Sequence, residues 1–387
     1  MSKKNFLDHF LTSPLTFKKV LILLLTALAV WGGHSLYYRY FRTPSPVILM
    51  INFYPMRQID KDYYRKANPY GFLLGLPSHT NLDPRKLRRE LEEVLGRKDF
   101  LFFIDQEGGE VNRIQWYDPN FDAPAPASFG RLAEKDLASA QEQVYQYGLR
   151  TGKKLKEYTV DVVFAPLAEI ASSDKTPQRS RYFSSDPQIA KILSDAYARG
   201  LADGGVIPCY KHAPGFNGAE TDPHYEQQII SASLQALHRD ALPLFQNGTQ
   251  WPFLMTAHGY YRAIDPDRIS TYSPAFYDFL RRELSYDGVL IPDALNMEAA
   301  TLGEENRNTS LRMRHALEAG ADLVLPFFPL STDPREMTRQ ILELPSEYGK
   351  RLKKKIKRLE KEGRFNVGPD NKPPWVQRRE ERHIIQK

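Results

Sequence analysis

Acidic side chains that suit nucleophilic attack stand at the ends of short apolar runs in this sequence. Asp293 directly follows Val289–Pro292 in the segment GVLIPDALNM. A carboxylate that a buried strand holds in place can act as a nucleophile, but an Asp at this position can equally cap a helix that begins at Ala294. The residues around Asp293 leave both interpretations open.

A second group of candidates lies in residues 211–224, KHAPGFNGAETDPH, where glycines and prolines predict a loop. Asp222 and His224 are two residues apart, so their side chains can meet in a turn. A carboxylate bonded to one imidazole nitrogen fixes the tautomer and leaves the other nitrogen to shuttle a proton. A metal site that adds His212 to this pair is the alternative, but the spacing matches no H-E-x-x-H-like motif. We therefore expect no metal and no organic cofactor.

A third group is in IDQEGGEVNRI, which contains Asp105 and Arg113. Asp105 can accept hydrogen bonds from sugar hydroxyls. Arg113, Arg181 and Lys211 would help to keep a nearby carboxylate ionised. Each of these residues could instead belong to a structural salt bridge.

The elements that must position these residues are short apolar runs alternating with amphipathic segments. The predicted strands are Val47–Phe53, Gly71–Leu76, Phe100–Asp105, Val160–Ala165, Val206–Lys211, Phe253–Ala257, Val289–Pro292 and Leu323–Leu325. The predicted helices include Pro84–Leu95, Ala138–Glu157, Pro187–Asp203, Pro274–Leu284 and Ser310–Ala319. Nearly continuous apolar strands are typical of parallel sheets that are buried on both faces.

This alternation predicts an α/β fold, a single (β/α)8 TIM-type barrel over residues 46–345, with a doubly wound open sheet as the alternative. In a barrel, the site lies where the strands end. The candidate polar residues fall at those ends, which favours one shared site over separate structural roles.

The charge of the chain is concentrated at its two termini. The formal net charge is +6, but residues 1–45 carry +5 and residues 346–387 carry +8, so residues 46–345 carry −7. A body without a basic stripe is not typical of nucleic-acid binding. We therefore expect no nucleic-acid partner.

Residues 1–45 are predicted to be a cytoplasmic leader followed by a membrane anchor. The stretch 20–38 contains no charged residue, and Lys18 and Lys19 precede it. This length is close to that of a membrane-spanning helix, and the basic flank favours an internal N-terminus. A cleaved signal peptide is the alternative, although residues 32–35 are a poor cleavage site. We expect a signal-anchor and a catalytic domain outside the bacterial cytoplasm, in the periplasm or at the cell surface.

Residues 346–387 are predicted to be a basic helix followed by a tail. Leu352, Ile356 and Leu359 lie on one face of Ser346–Glu362, which predicts a helix packed on the body. Contact between the basic tail and anionic lipid is a further possibility.

Seven segments resemble, in the same order, the successive motifs of glycoside hydrolase family 3. They are FFIDQEGGEVNRI, DVVFAPLAEI, RYFSSDP, KHAPGFNGAETDPH, LMTAHGYYRAIDP, LRRELSYDGVLIPDALNMEA and AGADLVL, within residues 46–330. The likeness is closest to the single-domain bacterial β-N-acetylglucosaminidases of the NagZ type. That subgroup acts in peptidoglycan recycling and turnover.

The resemblance implies a role for each candidate residue. Asp293 corresponds to the nucleophile, His224 to the acid/base and Asp222 to the residue that orients His224. The sugar-binding positions of the family correspond to Asp105, Arg113, Arg181, Lys211 and His212. The implied activity is that of a retaining exo-β-N-acetylhexosaminidase acting on N-acetylglucosamine-containing glycans.

The sequence departs from the family pattern at five positions near the site, which are Glu169, Phe216, Pro223, Pro292 and Asn296. None of them removes the nucleophile or the dyad. Two alternatives follow from the same residues. One is a phosphorylase that transfers the sugar to phosphate, and the other is an inactive, membrane-tethered saccharide-binding protein.

Overall fold

The computed structural model describes residues 43–51, 55–74, 83–171, 176, 178–216, 227–301, 308–328 and 331–374. The predicted anchor at 20–38 and the predicted dyad, Asp222 and His224, lie outside these residues. Within the described part, no helix is both long and apolar enough to cross a membrane.

The strands form two parallel sheets and two small ribbons. They are β1 (Ser45–Met50), β2 (Pro69–Leu74), β3 (Leu101–Ile104), β4 (Gln106–Gly108), β5 (Val111–Asn112), β6 (Val162–Val163), β7 (Ile207–Pro208), β8 (Tyr210–Ala213), β9 (Ile229–Ile230), β10 (Phe253–Thr256), β11 (Tyr260–Tyr261) and β12 (Val289–Pro292). One sheet has the order β1-β2-β3-β6-β7 and the other β12-β10-β8, while β11 pairs with β9 and β4 with β5. The large sheets are parallel, which confirms the predicted α/β class.

The strands are apolar throughout because both of their faces are buried. In β3, Phe102 and Ile104 join the core cluster that also contains the helix residues, whereas Leu101 and Phe103 join a second cluster made mostly of strand residues. Alternate side chains of a strand point to opposite faces, so two cores require an unbroken apolar run.

The helices pack against the core cluster that contains Phe102 and Ile104. They are α1 (Gln58–Ala67), α2 (Pro84–Leu95), α3 (Pro126–Ala133), α4 (Leu137–Glu157), α5 (Pro187–Asp203), α6 (Leu234–Ala236), α7 (Leu242–Phe245), α8 (Pro274–Glu283), α9 (Thr309–Ala319), α10 (Pro334–Leu342) and α11 (Ser346–Lys361). A π-helical segment, Leu237–Ala241, joins α6 to α7. Shorter 3-10 turns cover Ile114–Trp116, Arg179–Arg181, Gln246–Gln250, Ser270–Tyr272 and Glu298–Ala300.

Three of the predicted helices begin where local chemistry dictates. The side chains of Asp83, Asp186 and Ser273 accept hydrogen bonds from backbone N–H groups in the first turns of α2, α5 and α8. In each case the next residue is proline. Proline suits the first helical position because an N–H at that position would have no hydrogen-bond partner within the helix. Two of these helices have the predicted bounds, and α8 ends one residue earlier.

Hydrogen bonds continue from one sheet to the other at two places. Cys209 lies between β7 and β8, and its N–H donates to the carbonyls of Val163 and Ala165 (2.8 and 3.0 Å). The predicted strand Leu323–Leu325 is reduced to a single bridge at Val324, opposite Val47. The N–H of Val324 donates to Pro46 O, and the N–H of Asp322, two residues earlier, donates to Leu290 O (both 3.0 Å). This segment therefore contacts both β1 and β12.

The C-terminal helix packs on the strand core with its predicted apolar face. Leu352, Ile356 and Leu359 are buried in the cluster of strand residues. Phe365, which follows the helix, packs edge-on against Phe253 of β10 with 5.7 Å between ring centroids. The region after residue 345 is thus part of the packed body as far as residue 367.

Candidate active site

The carboxyl ends of neighbouring strands bring together most of the described candidates. Lys211 and His212 lie in β8, and Asp293 directly follows β12. The strand between them is β10, and its last residue, Thr256, accepts a hydrogen bond from the N–H of Asp293 (3.0 Å). Because the strands are parallel, these side chains lie at one edge, as the sequence predicts.

Asp293 is a partly exposed carboxylate surrounded by positive charge. Its Oδ2 lies 3.3 Å from Nε2 of His212, and its Oδ1 accepts a hydrogen bond from the N–H of Ala294 (2.7 Å). Burial alone would raise the pKa of Asp293, but His212, His258 and Lys211 together hold this pKa below its ordinary value. Asp293 is therefore ionised at neutral pH, as a nucleophile must be.

The alternative interpretation of Asp293 as a helix cap is wrong. The next helical residues are the 3-10 turn Glu298–Ala300, and Met297 occupies its N-cap position. The helix predicted to begin at Ala294 does not form. Asp293 therefore does not cap a helix.

His212 is held between two carboxylates. Its Nδ1 lies 2.8 Å from Glu169 Oε1, and its backbone N–H donates to the same oxygen (3.0 Å). The other oxygen of Glu169 accepts a hydrogen bond from the N–H of Phe216 (3.0 Å). The sequence places Glu169 after the fourth predicted strand and marks it as a departure from the family pattern, but it does not predict that Glu169 orients the imidazole that faces Asp293.

A network of four charged side chains, of which Lys211 and Glu107 are buried, adjoins this pair. Lys211 Nζ lies 2.6 Å from both Asp105 Oδ1 and Glu107 Oε1. Arg181 forms two hydrogen bonds with Glu107, Nε to Oε2 (2.8 Å) and Nη2 to Oε1 (2.9 Å). The structure thus joins Asp105, Arg181 and Lys211 as expected, through a carboxylate that the sequence did not single out.

Glu107 is the member of this network that sequence reasoning missed. Its side chain is 1% exposed. Burial would raise its pKa, but Arg181 and Lys211 hold this pKa far below its ordinary value. The signal that could have found it is its position two residues after Asp105, just beyond the end of the predicted strand Phe100–Asp105.

Arg113 and His258 do not join this network through any contact with the described residues. The guanidinium of Arg113 stacks on Trp116 at 5.0 Å and forms no ion pair with the residues that the structure describes. His258 is buried, and its Nδ1 and Nε2 lie 2.6 Å from Thr271 Oγ1 and 3.1 Å from Ala294 O. Burial lowers the pKa of His258, although Asp293 opposes this effect.

The departures from the family pattern leave the central contact intact. Pro292 ends β12 opposite Thr256 of β10. The Phe216 ring lies 5.7 Å from the His212 ring, beside the imidazole rather than between it and Asp293. Among the described residues, no group of three or more His, Cys, Asp or Glu side chains is arranged to hold a metal ion.

Comparison with known proteins places this geometry in a family. Residues 81–361 match the sequence model of the glycosyl hydrolase family 3 N terminal domain. The chain belongs to glycosyl hydrolase family 3.

Curated and solved relatives agree with this assignment. The chain is 31% identical over 287 residues to a protein named β-hexosaminidase from Bordetella parapertussis, which covers 73% of this chain and 79% of that protein. The solved β-N-acetylglucosaminidase of this family from Paenibacillus superposes with a TM-score of 0.69 at 24% identity, over 82% of this chain and 61% of that chain. NagZ from Neisseria gonorrhoeae has a TM-score of 0.66 at 23% identity, over 81% of this chain and 90% of that one. These structures are similar in fold.

Proposed function

We propose that the protein is a retaining exo-β-N-acetylhexosaminidase that hydrolyses terminal N-acetylglucosamine from peptidoglycan-derived or related glycans. The observation that carries this proposal is the ionised Asp293 carboxylate beside His212 at the carboxyl ends of parallel strands. Family membership and the names of the curated relatives support the same activity.

In the proposed mechanism, one oxygen of Asp293 attacks the anomeric carbon as the glycosidic bond breaks. His224, oriented by Asp222, gives its proton to the leaving oxygen, and a covalent glycosyl-enzyme forms. His224 then removes a proton from water, which attacks the same carbon and releases Asp293. Two inversions retain the configuration. The roles of His224 and Asp222 rest on the resemblance of their segment to the family motif.

Around this chemistry, the charged network is suited to binding the hydroxyls of the terminal sugar. Asp105 retains 30% of its side-chain exposure, so its carboxylate can reach a substrate, and Arg181 retains 15%. Lys211 and Glu107 are buried behind them and fix their positions. Charged groups held in this way lose little conformational freedom when a substrate binds.

Glu169 acts as a positioning residue for His212. Both ring nitrogens of His212 face carboxylate oxygens, Glu169 on one side and Asp293 on the other. The contact with Glu169 fixes the ring so that Nε2 faces the Asp293 carboxylate, and the charge interaction with His212 is one of those that lower the pKa of Asp293.

Assay of a chromogenic β-N-acetylglucosaminide tests the activity, and NMR of the first sugar anomer released tests retention. Turnover that survives D293A would refute the nucleophile, and an α-anomer as first product would refute retention. The same assay with phosphate distinguishes a phosphorylase, which would release the sugar 1-phosphate instead of free sugar. Binding of N-acetylglucosamine without turnover would identify an inactive saccharide-binding protein.

We also propose that the two parallel sheets close into one eight-stranded (β/α)8 barrel. The bonds of Cys209 to β6 and those of the 322–324 segment to both β1 and β12 support this closure. Amide hydrogen exchange tests it. The amides of Val324 and Ile48 are expected to exchange as slowly as the amide of Phe103. Rapid exchange at Val324 would indicate an open sheet.

For the location, we propose that residues 20–38 anchor the protein in a bacterial membrane, with the catalytic body outside the cytoplasm. The uncharged apolar run and its basic flank support this proposal. We expect to recover the full-length protein in carbonate-washed membranes. We also expect protease added to spheroplasts to digest its catalytic body. L23R/L25R should abolish membrane recovery. Protection from the external protease would contradict the orientation.

A further inference from the structure

The basic residues of helix α11 fall into two groups that differ in their contacts. Lys355 pairs with Asp322 (2.7 Å), Arg358 pairs with Asp287, and Arg351 donates to the carbonyls of Leu317 and Ala321. Five further lysines are exposed and form no ion pair or hydrogen bond with the described residues. They are Lys350, Lys353, Lys354, Lys357 and Lys361.

These five residues, the lysine stripe, occupy one face of the helix. Their spacing of three, four, seven and eleven residues from Lys350 places them within about 100° of arc, since successive residues of an α-helix turn by about 100°. The buried residues Leu352, Ile356 and Leu359 lie on the opposite face. The stripe therefore lies on the solvent side of the helix, and its members Lys353 and Lys357 also border a surface cavity that Asp99 shares.

The stripe lies at the end of the fold where the chain leaves the described body. A side chain at Gly349 would lie 2.6 Å from the carbonyl of Pro44, so the first turn of α11 touches the residue before β1. Only residues 39–43 separate Pro44 from the apolar segment 20–38, a span of at most about 18 Å. Asp293 lies at the opposite ends of the strands.

The acidic groups around the stripe are few. Glu347 and Glu360 flank it on α11, and burial followed by the charge of Asp99 raises the pKa of Glu360. Asp99 itself pairs with Arg97 (2.8 Å). Among the residues that the structure describes, no exposed aromatic side chain lies between the lysines, since Tyr348 is buried, so this part of the surface lacks the stacking groups of a nucleic-acid site.

We propose that the lysine stripe binds anionic lipid headgroups of the membrane in which the N-terminal segment is anchored. Lysines near an anionic bilayer are attracted to it and lose this attraction in salt. Contact through α11 orients the body with the carboxyl ends of its strands, and therefore Asp293, away from the lipid. This inference rests on the proposed membrane location and goes beyond it.

Fluorescence transfer to labelled lipid tests the orientation in the full chain. The single cysteine, Cys209, is buried and burial raises its thiol pKa, so an introduced cysteine is the reactive one. Donor dyes are placed at E347C, beside the stripe, and at A263C, an exposed residue following β11 near the site end. In vesicles with one-third phosphatidylglycerol, transfer from position 347 should exceed transfer from 263 at least twofold. This ratio should approach one in phosphatidylcholine or in high salt.

Charge reversal provides the matched comparison. K350E/K354E/K357E should remove the difference between the two label positions. K86E/R89E/K135E, which makes the same change at exposed residues of α2 and the turn before α4, should retain it. Equal transfer from both positions in the unmodified chain, or an unchanged ratio after reversal of the stripe, would overturn the proposal.

Sedimentation with vesicles separates failure of the anchor from failure of the stripe. If the full chain does not sediment with phosphatidylcholine, the anchor proposal fails. Binding to phosphatidylglycerol vesicles that falls about fivefold per reversed lysine would then still support the stripe. Binding of labelled single-stranded DNA as tightly as phosphatidylglycerol vesicles, with the same loss on reversal, would overturn the assignment to lipid.

Discussion

The two ends of the strands use positive charge in opposite ways. At the carboxyl ends, Lys211 is 3% exposed and lies between two carboxylates. At the amino ends, Lys357 of α11 is exposed and has no ion-pair partner among the described residues. Burial lowers the pKa of Lys211, but Asp105 and Glu107 more than offset this and raise the value. A buried charge must be paired, and a charge in water need not be.

Two kinds of charged group result from this difference. The first kind is buried and can bind a partner because its position is fixed; the second kind is exposed and can bind through electrostatic attraction. Groups of the first kind are fixed by their neighbours and suit recognition of one substrate geometry. Groups of the second kind keep their flexibility and suit a diffuse anionic surface. Five variants test this comparison, and they are expected to have successively smaller effects.

Removal of the nucleophile should have the largest effect. D293A should lower kcat/KM on a chromogenic β-N-acetylglucosaminide by roughly 10⁴-fold or more, because the proposed covalent step requires the carboxylate that the variant lacks. Steady-state kinetics measures the loss, and an unchanged circular dichroism spectrum shows that the fold is intact. Activity within tenfold of the unmodified protein would contradict the assignment.

Neutralising the buried carboxylate should impair both stability and activity. E107Q leaves Lys211 and Arg181 without their shared partner, so we expect a loss of about 3 kcal/mol in the free energy of unfolding and about 100-fold in kcat/KM. Because the pKa of Glu107 is lowered by folding, its stabilisation is present above the unfolded value, near pH 4.3, and is lost as pH falls below it.

Urea unfolding at several pH values checks this sign. The difference in stability between the unmodified protein and E107Q should be full at pH 7 and should shrink below about pH 4. A difference that grows in acid would show that Glu107 is not held ionised. K86Q, on the exposed side of α2, is the control and should have no effect at either pH.

Loss of the positioning carboxylate should move the pH profile. E169Q removes the carboxylate that holds His212 against Asp293, so the pKa of Asp293, which His212 helps to lower, should rise and the acidic limb of kcat/KM should shift to higher pH. We expect about a tenfold loss of kcat at neutral pH. E169D should restore the limb in part. A uniform loss of activity with an unmoved limb would indicate a structural role only.

An acidic residue at the other end of β12 provides the contrast with Asp293. Asp287 pairs with Arg364 (2.6 Å) and Arg358, which holds its pKa below the ordinary value despite the opposing effect of partial burial. D287A should cost about 0.5 kcal/mol in the free energy of unfolding because its carboxylate is half exposed. Its kcat/KM should remain unchanged. A large kinetic effect would remove the distinction between the two ends.

Reversal of the lysine stripe should have the smallest effect on the body. K350E/K354E/K357E should leave hydrolysis of a soluble substrate within twofold and should change the unfolding free energy by less than about 0.5 kcal/mol in total. Thermal unfolding and steady-state kinetics measure both. A collapse of the fold would mean that these lysines have structural partners.

Local signals in the sequence explain why the helices were predicted closely. The bounds of α2 and α5 follow from an aspartate cap, a proline at the first helical position and a regular apolar face. Strand ends were predicted less well, since β6 covers only Val162–Val163 and the last predicted strand is a bridge at Val324. Strand ends depend on hydrogen bonds to neighbours that are far away in the sequence.

The residues of the candidate site also fall into those that local sequence predicts and those whose role depends on distant contacts. The positions of Asp293, Lys211 and His212 at strand ends follow from the apolar runs that precede them, and their shared edge follows from parallel pairing. The importance of Glu107 and Glu169 was not visible, because each acquires its role from a partner more than 40 residues away. No local pattern records such a contact.

The sequence by itself determined the alternation of strands and helices, the family motifs and the separation of charge between the body and the termini. Only the tertiary structure decided which charges are buried together. It rejected the helix cap at Asp293, joined Lys211 to Arg181 through Glu107 and turned five lysines of α11 towards solvent. The physical reason is that side-chain spacing is a property of the chain, whereas the environment of a charge depends on the neighbours that folding brings to it.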